Sequence, residues 1–241
     1  MRDETSYNVG DGLSSQKHGW RFDGDVPVRF DVHVKKSIPS YADGHDIVIQ
    51  SAQPHLTKDG ICYELGCSTG TLTSKLAACA SGKNTRIIGL DQIPGMLEIA
   101  GAKCAECSNV AFEQTDILEY PFLPSLVIVS YYTIQFIPIV KRSRLAAKIY
   151  DALEDRGIFL LFEKICFDNP VIEKKVTDKY YAFKKAQGFT EEEILSKADA
   201  LKDILIPQTE EQNLKMLRNA GFSSVNILFS ELCWQGYLAR K

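Results

Sequence analysis

The segment Glu64-Leu-Gly-Cys-Ser-Thr-Gly70 places an acid and two glycines at the end of an apolar run, Ile61-Cys-Tyr-Glu-Leu65. Glycines there allow a tight turn and close approach of backbone to a ligand. The spacing is Gly-x-x-x-Gly, whereas a pyrophosphate site on a helix N-terminus favours G-x-G-x-x-G. Glu64 beside the loop would repel a phosphate. An acid suits instead a ligand that carries an ammonium group, such as the methionine part of S-adenosylmethionine (SAM). Asp91 follows a second apolar run, Arg86 to Leu90, where a carboxylate can accept both hydroxyls of a ribose. Asp116 follows a third, after Thr115, where a carboxylate and the Ile117 backbone can read an adenine amino group. Each feature alone is weak, because a glycine turn is commonly only a turn and Asp91 alone could be a solvated strand end. The ordered set Glu64/Gly66/Gly70, Asp91 and Asp116, one after each successive strand, points to SAM.

No Ser/His/Asp or His/Cys constellation accompanies this set, and SAM, already activated, demands little of side chains. Cys104 and Cys107 form a CxxC in a helical stretch with no second pair, so they read as incidental and no metal is expected. His18, His33, His45 and His55 all lie near the N-terminus, away from the cysteines.

These residues need a frame that delivers strand ends to one crevice, and the pattern supplies it. Residues 1 to about 20 are polar and glycine-containing and read as a flexible arm. The rest, 21–241, reads as one SAM-binding domain. Val26–Lys36 and Tyr41–Leu56 look like helices that precede the sheet. Strands are expected at Ile61–Leu65, Arg86–Leu90, Val110–Gln114, Leu126–Val129 and Gly157–Phe162. Helices are expected at Thr71–Ala80, Pro94–Cys107 and Lys141–Leu153. Two charged amphipathic stretches, Val171–Gln187 and Glu191–Leu205, make a helical insert over about 170–205. Thr190 to Glu193 and Thr209 to Gln212 have the form of capping boxes, the latter opening a helix that Gly221 ends. Ser224–Ser230 and Trp234–Ala239 close the chain as a strand pair. The fold class is therefore α/β: a doubly wound, Rossmann-like sheet with an antiparallel terminal pair and a helical insertion.

The chain has 241 residues, 45% of them hydrophobic and 24% charged, enough for one sizeable core. Its net charge of −3 argues against a dedicated nucleic-acid surface. The most apolar run, Leu126 to Val140, is interrupted by Ser130, Thr133, Gln135 and Pro138 and is too short for a membrane span. The start shows no signal peptide. The seven scattered cysteines fit a reducing compartment, so a cytoplasmic protein is expected.

The motif set resembles that of class I SAM-dependent methyltransferases across most of the chain. Phe22-Asp23, Val26, Phe30, Ser37-Ile-Pro-Ser-Tyr41, Thr133-Ile-Gln-Phe136, Phe162-Glu-Lys164, Phe183-Lys-Lys-Ala-Gln-Gly188 and Ala220-Gly-Phe222 are similar to the carboxy-SAM synthase family, which prepares the donor for wobble-uridine modification of tRNA. The resemblance implies that Tyr41, Gly66, Cys67, Ser68, Asp91, Gln92, Asp116 and Ile117 contact the nucleoside. It also implies a homodimer, with part of the insert's apolar surface pairing with a second subunit.

Four positions depart from the family. The arginine that holds the donor's extra carboxylate, after a lysine matching Lys197, is Ala198 here. An asparagine is Tyr131, and a histidine pair of the insert is Tyr180-Tyr181. A methyl group cannot replace a guanidinium fork on a carboxylate. On this reading the pocket loses a cation and gains rings. Tyr131, Tyr132, Tyr180 and Tyr181 are then candidates to face the sulfonium, to which ring faces are attracted. The alternative for Tyr180 and Tyr181 is a surface helix, because consecutive helical residues do not share a face. Lys197 is expected to point about 100° away from position 198, a poor stand-in for the arginine, and Arg142 or Arg144 could fold in instead.

The function expected is a SAM-dependent transferase, first a methyltransferase acting on a small molecule. The alternatives are a non-methyl use of SAM, either intramolecular cyclisation that expels methylthioadenosine or carboxy-SAM chemistry, and a non-catalytic SAM-binding subunit.

Overall fold

The computed structural model describes residues 6–241. Its centre is a seven-stranded sheet. The strands that belong to it are β3 (Ile61–Leu65), β4 (Arg86–Asp91), β5 (Val110–Gln114), β6 (Ser125–Tyr131), β7 (Leu153–Lys164), β8 (Ser224–Glu231) and β9 (Trp234–Arg240). They lie in the order β5-β4-β3-β6-β7-β9-β8. Pairing is parallel from β5 through β7, and β9 inserts antiparallel between β7 and β8. The chain runs outward from β3 through β4 to β5, then returns to β6 on the other side of β3. That reversal opens a crevice at the carboxyl ends of the strands, where open α/β sheets bind ligands.

The period-two alternation of the strands explains why the sheet is covered on both sides. Cys62, Val127, Val129, Ile158, Leu160 and Phe162 face one core. Tyr63, Leu65, Ile128, Phe159 and Leu161 face the other. The first core is roofed by α1 (Val26–Ser37), α2 (Tyr41–Ala52) and α3 (Thr71–Cys79), which send in Val34, Val48 and Leu76. The second is roofed by α5 (Ile139–Ala152) and α8 (Glu210–Ala220), through Leu145, Ile149 and Leu217. Helix α4 is Pro94–Lys103; Cys104 and Cys107, expected inside it, fall in the turns that follow.

The insert forms α6 (Pro170–Ala186) and α7 (Glu191–Leu201). Both capping boxes form: Thr190 with Glu193 at α7, Thr209 with Gln212 at α8. Gly221 ends α8 at φ 111°.

One expectation is corrected. Of the arm expected over residues 1–20, residues 1–5 lie outside the described part. Tyr7–Gly10 and Leu13–Ser15 form a hairpin, β1 and β2. Gly10 pairs with Leu13, leaving Asp11-Gly12 as a two-residue turn in which both residues have positive φ. That dipeptide between alternating residues is a strong hairpin signal. Val9, Leu13 and Trp20 bury against Val26, Met96 and Ala200. The Trp20 amide donates to the Ala200 carbonyl and that of His18 to Asp199. Asp11 accepts from Lys36 and His33 of α1. Three apolar residues and a few buried polar contacts thus fix the segment between α1 and α7.

Candidate active site

At the carboxyl end of β3 the chain turns at Gly66, where φ is +68°. A Cβ there would stand 2.4–3.0 Å from Thr133 side-chain atoms, so only glycine brings this loop so close to the loop after β6. Gly70 also has positive φ, but its neighbours are Ala100 and Phe112. It begins α3 and packs on α4 rather than lining the cavity, so its place is structural where the sequence suggested ligand contact.

Asp91 ends β4 and joins the first two loops. One carboxylate oxygen accepts from the Ser68 amide and the other from Ile93, each at 2.9 Å. Burial pushes its pKa above the usual carboxylate value, against those backbone donors. Asp116 accepts from the Leu118 amide at 2.9 Å and stands exposed at the rim, with Ile117 buried beside it. Gln92 is exposed on the same rim. Glu64 is buried and accepts from Thr73 Oγ1 at 2.5 Å. Burial pushes it up to about 8. At neutral pH such a carboxyl is largely protonated, and a cation placed against it would draw the proton off.

The sequence reading missed a second acid. Asp31 of α1 reaches the same loop, accepting from Thr69 and Thr71 and pairing with Lys103 at 2.7 Å. Burial works to raise its pKa, but the Lys103 and Thr69 contacts prevail and hold it low. Nothing near Asp31 in sequence marks it, since its partners lie 38 residues or more away.

Asp31, Glu64, Gly66, Ser68, Asp91, Gln92, Asp116 and Ile117 line one cavity of about 680 Å³. It continues into a chamber walled by Tyr41, Tyr131, Tyr132, Tyr180, Tyr181 and Trp234. Tyr131 donates to the Tyr41 carbonyl at 2.6 Å and Tyr180 to the Ser37 carbonyl at 2.8 Å, so these two offer rings rather than free hydroxyls. Tyr132 has φ +61°, a conformation that costs a bulky residue on the order of 1–3 kcal/mol. Its ring meets Trp234 edge-on at 5.0 Å and stacks with Tyr41 at 6.2 Å. Tyr180 and Tyr181 both line the cavity, Tyr180 buried and Tyr181 half-buried.

Loss of one cation does not leave the pocket without positive charge. Lys164, Lys184 and Lys197 line the chamber, and Lys197 turns inward while Ala198 stands exposed at the edge. No arginine lines the cavity. Arg142 folds inward elsewhere: its guanidinium donates to the carbonyls of Ile137, Gln135 and Ile206 and to Gln208. Arg144 is exposed and away from the cavity.

A methyltransferase-domain family model matches residues 63–157, the span from β3 into β7. A carboxy-S-adenosyl-L-methionine synthase of Wolinella succinogenes is 39% identical over 93% of this chain and 95% of its own length. Another, from Sulfurimonas denitrificans, is 37% identical over 93% and 96%. The chain belongs to the carboxy-SAM synthase family. It is a SAM-using transferase on a class I methyltransferase fold.

Solved structures at lower identity share that fold. Human N-acetylserotonin methyltransferase in complex with SAM is 16% identical, with TM-score 0.60 over 90% of this chain and 56% of that one. A Haemonchus contortus N-methyltransferase in complex with S-adenosylhomocysteine is 14% identical, with TM-score 0.63 over 91% and 58%. The chain spans a little over half the length of these neighbours. No helix of the described residues is long and apolar enough to cross a membrane.

Proposed function

We propose that this member of the carboxy-SAM synthase family moves the methyl group of SAM onto a small molecule held in the same cavity. One observation carries the reading: the loop-and-carboxylate end and the aromatic chamber form one cavity without an arginine. Its volume falls in the range of small-molecule sites, roughly 300–1,000 Å³. SAM, when bound, supplies an electrophilic methyl group on a sulfonium.

Asp91 is proposed to accept the ribose hydroxyls, and Asp116 with the Ile117 backbone to read the adenine. Glu64 faces the ammonium, whose charge lowers the carboxyl's raised pKa. The Gly66-Cys67-Ser68 backbone, Tyr41, Gln92 and Tyr131 complete the enclosure. Tyr132, Tyr180 and Tyr181 present ring faces that attract a cation and keep water out. No general base is assigned.

A second reading, carboxyl transfer to SAM, is supported by the names of the relatives and by the lysines of the chamber. Incubation with SAM, with and without prephenate, followed by mass spectrometry, separates the readings. S-adenosylhomocysteine supports methyl transfer, and carboxy-SAM gives the second reading. Methylthioadenosine means that SAM's own amine is the nucleophile, and SAM binding without turnover means a non-catalytic subunit. On the first reading, Ala198→Arg gains affinity for carboxy-SAM.

We further propose a homodimer in the cytoplasm. Val171 and Ile172 of α6 and Leu195 of α7 stay exposed on the insert, and all seven cysteines are free thiols. Light scattering at micromolar concentration that finds only monomer would overturn the dimer.

A further inference from the structure

Arg142 of α5 is a buried charge that lies behind the cavity wall. It is 2% exposed, and among the described residues no carboxylate forms an ion pair with it. Its hydrogen bonds go to two separate stretches of chain. In the loop after β6, Nε donates to the Ile137 carbonyl at 2.7 Å and Nη2 to the Gln135 carbonyl at 3.0 Å. In the connector between α7 and α8, Nη2 donates to the Ile206 carbonyl at 2.7 Å and Nη1 to Gln208 Oε1 at 3.2 Å. Both stretches wall the cavity, the loop through Gln135, Phe136 and Ile137, the connector through Leu205 and Pro207.

The Ile206 amide adds one direct bond between the two, to the Gln135 carbonyl at 3.0 Å. The Gln135 side chain is used within its own surroundings: Nε2 donates to the Tyr132 carbonyl and Oε1 accepts from the Lys164 amide. Glu163 of β7 is buried nearby, and burial pushes it up to about 8 against the charge of Arg142. At neutral pH that carboxyl is largely protonated, so the guanidinium is held by carbonyl and amide oxygens. An apolar side chain would fill the same volume at less electrostatic cost, but it could not join two loops. A lysine would carry the charge without the planar fork that reaches both.

We propose that Arg142 is a positioning residue that locks the connector after α7 to the loop after β6 and so holds the cavity closed on that side. It acts through these two walls and touches neither SAM nor a second substrate. This rests on the reading that the cavity is where SAM reacts, and it holds whichever group of SAM is transferred.

Acrylamide quenching of tryptophan fluorescence tests the closure, because the chain's two tryptophans, Trp20 and Trp234, both line the cavity. Arg142→Lys and Arg142→Ala are each expected to raise the quenching constant about two-fold or more, while S-adenosylhomocysteine affinity changes less than about three-fold. In Arg142→Ala, added ethylguanidinium should restore the unaltered value, and ethylammonium at the same concentration should not. Unchanged quenching in both folded variants overturns the proposal, and so does equal rescue by the two cations. Where neither variant folds, hydrogen exchange of the unaltered protein decides. The Ile137 and Ile206 amides should exchange within about ten-fold of each other, as parts of one locked unit. A larger gap means that the connector opens by itself and overturns the proposal. Failure of the unaltered protein to bind S-adenosylhomocysteine sinks the proposed function instead, and quenching and exchange still decide the role of Arg142.

Discussion

The two halves of the cavity are built in different ways. The nucleoside half consists of strand ends, Glu64, Gly66 to Ser68, Asp91, Asp116 and Ile117, each fixed by the sheet register beneath it. Its polar groups are already partnered: Asp91 alone ties two loops through Ser68 and Ile93. The chamber half is assembled from α1, α2, α6, α7, the end of β6 and the segment after the hairpin, and its lysines Lys164, Lys184 and Lys197 have no carboxylate partner among the described residues. The first half can therefore bind a ligand with little rearrangement. The second keeps polar groups waiting for one.

The largest expected effect breaks the chamber alone. Trp20 is 6% exposed in the cluster that ties the N-terminal segment to α7, and Lys197 rests on its ring. Trp20→Ala should cost about 3–5 kcal/mol of stability, the range for truncating a buried tryptophan. Denaturant unfolding measures it. Turnover should fall much more than affinity for S-adenosylhomocysteine, and equal loss of both would erase the distinction between the halves.

The reverse experiment attacks the nucleoside half. Asp91→Ala removes a charged acceptor and frees two loop amides, so SAM affinity should drop by about 1.5–3 kcal/mol. Calorimetry that finds unchanged affinity would take away the basis of the ribose assignment.

Acid should loosen the helical roof. Burial holds His33 at about 4 and His45 at about 3, both below the ordinary 6.5. Both groups take up protons on unfolding at mildly acidic pH. Their share of the stability is therefore fully present above pH 6.5 and is lost as pH falls from 6.5 towards 4, by on the order of 1–3 kcal/mol, while Glu64, raised to about 8, works in the opposite sense as it takes up its proton. Melting temperatures across that range check the sign. The deciding quantity is the difference: His45→Gln should gain stability relative to the unaltered protein as pH falls from 6.5, and identical slopes would contradict the burial of the His45 ring.

The smallest effect lies at the insert's own cap. Thr190→Ala removes one side of the α7 capping box, worth about 1 kcal/mol. Hydrogen exchange at the first turn of α7 should quicken while the strand-end loops are unaffected. Protection lost equally in both halves would mean that they unfold as one unit.

The sequence alone determined the sheet and the strand-end half of the cavity. Buried parallel strands must be apolar, turns that bring loops close together favour glycine, and acids repeated just past successive strand ends fall at one edge of the sheet. Ile61–Leu65, Gly66, Asp91 and Asp116 were therefore legible as a set, and capping chemistry marked the starts of α7 and α8. Only the tertiary structure decided the chamber. Asp31, Trp20, Lys184 and Lys197 lie far apart in the chain and carry no local pattern that separates a cavity wall from a solvated helix face. Gly70 shows the converse, a motif residue whose neighbours, Ala100 and Phe112, make it a packing position. A helix's polar residues read alike in sequence whether they meet water or a ligand, and what packs over them settles which. Here α1, the N-terminal segment and Trp234 close over α6 and α7, and that turns two ordinary lysines into buried charges.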